Sequence, residues 1–266
     1  AAVPYESFDM EEMTFWDHLE ELRRVLLRAV AVLLAAMVVW FCLLPGIFDS
    51  FVLGPATSDF PLYRWLAGLG GSGGFFPDFG RDDYRVEIIN IHVASQFLIH
   101  IGTSFWFALV TVFPYLIFEV WRFVRPALYA AERRSLSAAF LFGTAMFFAG
   151  CALGYCVVFP FTFRFLSEYR LSGAVVNQIS LDSYMGSFLM MIFLMGVVFE
   201  LPLLTWLLSR LGLVSRSLLR RYRRHAVVVL LVLAAFITPT GDPFTLLIVF
   251  VPLWLLYELG IRLARE

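Results

Sequence analysis

The sequence predicts an all-α, polytopic membrane protein with six membrane-spanning helices. Hydrophobic residues make up 61% of the 266 residues and charged residues 15%, against about 45–50% and about 25% in soluble domains. The apolar residues are gathered in long runs, and most of the arginines lie in the segments between these runs. These three observations predict that residues 1–266 form a single integral-membrane domain.

Four apolar runs are long enough to cross the hydrocarbon core of a bilayer, which takes about 20 helical residues. These spans are predicted at about 25–44, 88–113, 136–159 and 185–208. Two later runs, 226–237 and 244–257, are shorter, and the turn TPTGDP separates them. The two runs are either short spans in a locally thinned bilayer or the halves of a re-entrant hairpin. We expect two short spans, which brings the total to six.

The arginines predict the orientation of the spans. Fifteen of the 20 arginines lie in the segments on one side of the membrane and five on the other. Positively charged segments stay on the cytoplasmic side. Both termini are therefore predicted to be cytoplasmic, and this holds for either interpretation of the last two runs because each returns the chain to the same side.

The cytoplasmic approach to the first span contains a candidate cation-binding carboxylate, Glu21. Its neighbour Glu20 can pair with Arg24 one helical turn later. Glu21 instead lies one turn after Asp17, a like charge, and Arg24 at the i+3 position offsets only part of that repulsion. We expect Glu21 to bind a cation that a partner supplies. The alternative is that Glu21 belongs to an ordinary charged helix face.

A second carboxylate, Glu132, lies in the next cytoplasmic segment. No basic residue lies three or four positions from it along the chain. Glu132 either favours the positive N-terminal dipole of the third span or forms a second acidic point beside Glu21. Paired arginines would suit two such points, because a guanidinium binds a carboxylate through two parallel hydrogen bonds.

Glu200 lies inside the apolar run GVVFELPLLTWLL, residues 196–208. A charged group at the centre of a membrane helix costs at least ~2.5–3.5 kcal/mol. An intramembrane carboxylate is therefore a candidate functional residue; the alternative is a structural hydrogen bond between helices. Pro202 lacks the N–H that would bond to the Val198 carbonyl, which predicts a bend beside Glu200.

No catalytic or metal centre is predicted. His92, Gln96 and His100 recur at i, i+4 and i+8, but no Cys, Asp or Glu joins them at ligand spacing. We expect a polar stripe that faces other helices or a wet cavity. Residues 68–74 match a dinucleotide fingerprint and a nucleophile elbow by letter only, because the strand and helix that both motifs need are missing. The prediction is a non-enzyme without cofactor or metal.

Five segments together resemble the TatC family, the multispanning subunit of the twin-arginine protein translocase. They occur in the family's order, and the resemblance extends from about Thr14 to Arg262. The segments are HLEELRRVLL (18–27), VWRFVRPALYAAERR (120–134), VVFPFTFRF (157–165), GVVFELP (196–202) and ITPTGDPFT (237–245).

The resemblance implies a concave, cup-like bundle that acts as receptor and core component of the translocase and binds the twin-arginine signal peptides of folded substrates. It places four residues in the cytoplasmic signal-binding site: Glu21, Arg23, Pro126 and Glu132. It assigns Glu200 to the concave membrane face as a polar or partner contact, together with Gln96, and Asp242 to the last external turn. Gln96 stands where many relatives look acidic, and Glu119 where Gln is frequent.

The implied partners are single-span TatA/TatB-like proteins, signal peptides and further copies of the chain in a larger complex, without nucleic acid. The implied location is the bacterial cytoplasmic (inner) membrane, and transport would draw on the proton-motive force. The competing hypothesis is a proton-coupled small-solute transporter with Glu200, His92 and His100 as a proton relay. The absence of an internal repeat in the sequence argues against that class.

Overall fold

A computed structural model describes residues 15–68, 84, 86–124, 133–172, 174, 177–210, 212–238 and 241–264. These residues are mostly helical, as predicted. The α-helices are α1 (Phe15–Ile47), α2 (Pro61–Gly68), α3 (Ser95–Val124), α4 (Arg133–Leu153), α5 (Phe159–Glu168), α6 (Leu181–Val198), α7 (Leu201–Arg210), α8 (Arg216–Arg221), α9 (Arg223–Ile237) and α10 (Pro243–Leu263).

Two short strands qualify the all-α prediction. Strand β1 (Ile88–Ile89) pairs in parallel with β2 (Ile179–Ser180). The second span was predicted to begin at residue 88, but α3 begins at Ser95 because the preceding β-branched residues are extended and paired. The Ser95 hydroxyl donates to Asp182 in the first turn of α6 at 2.9 Å, so the beginnings of α3 and α6 are tied together.

By length and composition, five helical stretches among the described residues can cross a membrane. They are Leu19–Ala56, Ser95–Val120, Phe140–Glu168, Leu181–Arg210 and Pro243–Leu263. Helix α9 has 15 residues, which is short for a ~30 Å core. The sixth span, the cup shape and the cytoplasmic position of both termini therefore stay predictions.

Several predicted spans have boundaries that the structure changes. The third continues from α4 through a π-helical turn, Gly154–Val158, into α5. The last was predicted to be short, but α10 has 21 residues and continues to Leu263. Glu258 in this extension is paired with Arg223 at 2.7 Å. That charge pair supports the end of α10 beyond the apolar run that defined the prediction.

The helix is interrupted beside Glu200, where a bend was predicted. Helix α6 ends at Val198 and α7 begins at Leu201, so the fourth span consists of two helices. The Glu200 N–H bonds to the Val197 carbonyl across the turn. Because Pro202 has no N–H to offer to Val198, the helix ladder is interrupted here.

The helices pack in pairs around an aromatic and methionine-rich core. Helix α1 lies along α3, α4 along α6, and α10 against both α7 and α9. The core between them is built from buried side chains that include Phe159, Phe188, Met191, Met195 and Leu253. The outward faces are apolar as well, as expected for helices that lipid surrounds: in α9, Val228, Val229, Val232 and Phe236 are all exposed.

Candidate functional site

Glu20 and Glu21 lie near the beginning of α1 and have different partners. Arg24 pairs with Glu20 at 2.6 Å, which confirms the predicted i,i+4 pair. Both side chains of that pair are more than half exposed, so the pair contributes little to stability. Glu21 is only 31% exposed, and its cation is Arg28, with Nη2 3.5 Å from Oε1. The only cation that the sequence had predicted near Glu21 was Arg24.

Arg28 also contacts Glu119, which the sequence had not singled out as a site residue. The Arg28 Nη2 donates to Glu119 Oε2 at 3.1 Å, and the Tyr115 hydroxyl donates to Oε1 at 2.8 Å. The Glu119 side chain is 3% exposed. One guanidinium from α1 therefore lies between a buried carboxylate on α3 and a half-buried carboxylate on its own helix. A signal existed, since both Arg28 and Glu119 interrupt apolar runs.

This cluster carries a net charge of −1, from Glu21, Glu119 and Arg28. The two carboxylates of this cluster therefore outnumber its one guanidinium. Glu21 is the accessible side of the cluster, because Glu119 is almost fully enclosed. Arg23 is exposed on α1. Glu132 and Pro126, the other two residues predicted for this site, lie outside the described residues.

Glu200 lies in the turn between α6 and α7 and is 7% exposed. Its Oε2 faces α4 closely, since a Cβ at Gly143 would lie 3.1 Å from it. Its Oε1 is buried without a hydrogen-bond partner among the described residues. An enclosed carboxyl oxygen without a partner is costly, and Glu200 Oε1 is such an oxygen in the described part of the chain.

The predicted polar stripe is shorter than expected. His92 precedes the beginning of α3, so only Gln96 and His100 lie on one face of that helix. The His100 ring stacks on Phe41, and its Nε2 lies 2.8 Å from the Phe41 carbonyl oxygen. Gln96 is exposed and, with His100 and Asp49, lines a cavity of about 500 Å³. In the part of the chain that is described, no group of three His, Cys, Asp or Glu residues could hold a metal ion.

Asp242 has a clear local role. It is the N-cap of α10, and its Oδ1 accepts a hydrogen bond from the Thr245 N–H at 2.9 Å. Such a cap satisfies a backbone donor that the first helical turn leaves open. The acidic residue predicted for the last external turn therefore begins the last helix.

Arg164 is a buried charged residue that the sequence had not singled out as a site residue. It is 0% exposed in α5, with its guanidinium 4.8 Å from the Tyr63 ring centre and 4.3 Å from that of Tyr84. Its Nε pairs with Glu168 at 3.2 Å. Burial raises the pKa of both phenols, so both rings stay neutral faces for the cation. The contact between Arg164 and Tyr63 packs α2 against α5.

Comparison with known proteins gives a consistent answer. The family model of the Sec-independent protein translocase protein (TatC) matches residues 17–252. The TatC protein of Blattabacterium sp. subsp. Periplaneta americana is 34% identical over 263 residues, which cover 96% of each chain. That of Deinococcus radiodurans is 35% identical over 258 residues, which cover 97% of this chain and 87% of the relative.

A solved structure agrees with the sequence relatives. The crystal structure of the twin arginine translocase receptor TatC in DDM superposes with a TM-score of 0.75 at 25% identity and covers 94% of this chain and 100% of its own. The family is a transport family, which favours the translocase interpretation over a small-solute transporter. With its several apolar spans and a match over nearly its full length, this chain belongs to the TatC family of bacterial Sec-independent protein translocase components.

Proposed function

We propose that this chain is the receptor and a core component of a twin-arginine translocase. It binds the twin-arginine signal peptides of folded proteins at its cytoplasmic face and helps move those proteins across the inner membrane with the proton-motive force. TatA/TatB-like single-span proteins and further copies of the chain complete the complex. The solved relative is itself described as a twin arginine translocase receptor, which supports this assignment.

The observation that carries the proposal is the state of Glu21. Its carboxylate is accessible, and its cation, Arg28, is 3.5 Å away and shared with Glu119. An incoming guanidinium can form shorter, bidentate hydrogen bonds with Glu21. Glu132, Arg23 and Pro126 are the further residues proposed for this site, with Glu132 as the second carboxylate.

Glu200 and Gln96 are proposed as contacts for polar groups of a partner's span or of the passing signal. The support for Glu200 is that its Oε1 is enclosed without a hydrogen-bond partner in the described part of the chain. The support for Gln96 is that it is exposed and lines a cavity that His100 also lines. Polar side chains within membrane segments are typical of functional contacts.

The test is binding of a signal peptide with paired arginines, compared with the same peptide carrying paired lysines. Glu21→Gln should weaken binding of the arginine peptide about tenfold or more, because a charge-assisted hydrogen bond contributes about 1.5–3 kcal/mol. Glu20→Gln is the matched control, since Glu20 is adjacent and already paired on its own helix. Equal binding of both peptides by the unmodified chain would contradict the receptor assignment.

A further inference from the structure

Two carboxylates, Glu119 and Glu21, compete for the guanidinium of Arg28. Its single Nη2 lies 3.1 Å from Glu119 and 3.5 Å from Glu21. The contact with Glu119 is the shorter of the two, and it is a hydrogen bond. Two carboxylates therefore contact one guanidinium, and Glu21, the more accessible of the two, has the longer and weaker contact.

The difference in burial explains why Arg28 interacts more strongly with Glu119 than with Glu21. The Glu119 side chain is 3% exposed and that of Glu21 31%. Water screens the attraction to Glu21 more than the attraction to Glu119, because the effective dielectric constant falls with burial. Tyr115 also holds Glu119 in position through its hydroxyl. The buried carboxylate thus draws Arg28 toward α3 and away from Glu21.

Arg28 nevertheless remains able to change partner. Its Nε is buried without a hydrogen-bond partner among the described residues, so the guanidinium has an unused donor. Glu21 lies seven residues earlier on the same helix, close to two turns, and therefore on the same face of α1. If Glu119 loses its charge, Glu21 is the carboxylate among the described residues that this guanidinium can reach.

We propose that Glu119 keeps Glu21 available to a cationic ligand by retaining Arg28, which is otherwise a built-in competitor for Glu21. Glu119 and Arg28 are positioning residues that act on the binding site through Glu21. The proposal rests on the function proposed above, in which Glu21 receives a guanidinium of the signal peptide. It adds a determinant of affinity that lies on a different helix from the binding carboxylate.

A double-mutant cycle with the full chain in detergent tests the proposal. Glu119→Gln should weaken binding of the paired-arginine peptide about tenfold, since Arg28 then occupies Glu21. The double variant Glu119→Gln with Arg28→Gln should bind within about twofold of the unmodified chain, since the competitor is gone. Arg24→Gln serves as the control for loss of a neighbouring arginine, because Arg24 pairs with Glu20, and it should change binding little.

A second measurement does not depend on the peptide. Glu21 can be coupled to glycine ethyl ester with a water-soluble carbodiimide and quantified by mass spectrometry. Coupling should slow in Glu119→Gln and return to the original rate in the double variant. Binding and coupling that stay as low in the double variant as in Glu119→Gln would overturn the inference and leave Glu119 a structural residue. If the unmodified chain does not prefer the arginine peptide while coupling follows the expected order, the receptor function fails and the competition at Glu21 stands.

Discussion

At the scale of single residues, the three buried charged groups among the described residues of the spans differ in their partners. Glu119 has Arg28 and Tyr115 as hydrogen-bond donors. Arg164 has an ion pair with Glu168 and two tyrosine rings. Glu200 has an enclosed oxygen without a hydrogen-bond partner among the described residues. Glu119 and Arg164 have partners within this chain, whereas the unbonded oxygen of Glu200 is the reason why this residue is proposed as a contact for another chain.

The corresponding prediction compares two substitutions at Glu200. Glu200 has no ion pair with any described residue. We therefore expect Glu200 to act in export through a hydrogen bond rather than through an ion pair with a fixed cation. Glu200→Gln preserves the shape and the hydrogen-bonding capacity, and it should retain most export of a folded twin-arginine substrate. Glu200→Ala removes both and should lose most export. The measurement is the exported fraction of a folded reporter in cells that carry each variant.

Binding of the signal peptide is the control for the Glu200 variants. It should be nearly unchanged in both, because Glu21 and its neighbours carry that step in the proposal. Loss of export in Glu200→Gln as well as in Glu200→Ala would show that the negative charge itself is needed. Normal export by Glu200→Ala would show a tolerated buried polar group and would contradict the assignment of a partner contact.

At the scale of elements, glycines set the distance between α4 and α6. A Cβ at Gly150 would lie 2.5 Å from the Met195 backbone oxygen, and one at Gly196 would lie 2.5 Å from the Cys151 sulfur. Small residues at such contacts let two membrane helices approach closely. The same close approach continues at Gly143, next to Glu200, so the α4–α6–α7 packing also positions the carboxylate in the break.

Gly150→Ala should therefore destabilise the protein by about 1–3 kcal/mol, the usual cost of overpacking. The backbone oxygen of Met195 cannot rotate away as a side chain would. Gly186→Ala in α6 is the matched control, because a Cβ there meets nothing within 4 Å, and alanine is favoured over glycine in a helix by about 1 kcal/mol. Thermal unfolding of the two detergent-solubilised variants measures the difference. A Gly150→Ala variant as stable as Gly186→Ala would contradict the close packing.

At the scale of the whole molecule, the open question is whether α9 and α10 cross the membrane separately. Helix α10 has 21 residues and α9 has 15. Two crossings would place the turn before Asp242 outside, whereas a re-entrant hairpin from the cytoplasm would keep it inside. The positive-inside pattern does not distinguish them, since both return the chain to the same side.

A single cysteine at Thr240, in a chain whose native cysteines are replaced, tests the two-crossing prediction. Thr240 lies outside the described residues, beside the N-cap of α10. It should react with an impermeant thiol reagent added to intact cells, whereas a cysteine at Ser217, in α8 on the predicted cytoplasmic side, should react only after the membrane is opened. Labelling of Thr240→Cys only after disruption would favour the hairpin.

Features that depend on neighbours along the chain could be predicted from the sequence. Composition and run length identified the membrane helices, the i,i+4 spacing identified the Glu20–Arg24 pair, and Pro202 located the break beside Glu200. These features follow from helix geometry and from a missing N–H, which act within a few residues. The five family-like segments also identified the family, because their order is a property of the chain.

Contacts between residues that are distant in the chain could be read only from the folded structure. Arg28 and Glu119 are 91 residues apart in the chain, and their spacing says nothing about whether α1 and α3 bring them together. The pairing of β1 with β2, which moves the beginning of α3 to Ser95, is equally non-local. A buried charged group pairs with an oppositely charged group that helix packing places within a few ångströms, because burying a charge without a partner costs several kcal/mol. The sequence could therefore locate Glu21 as a candidate but could not show that Arg28, its cation, also bonds to a buried carboxylate on another helix.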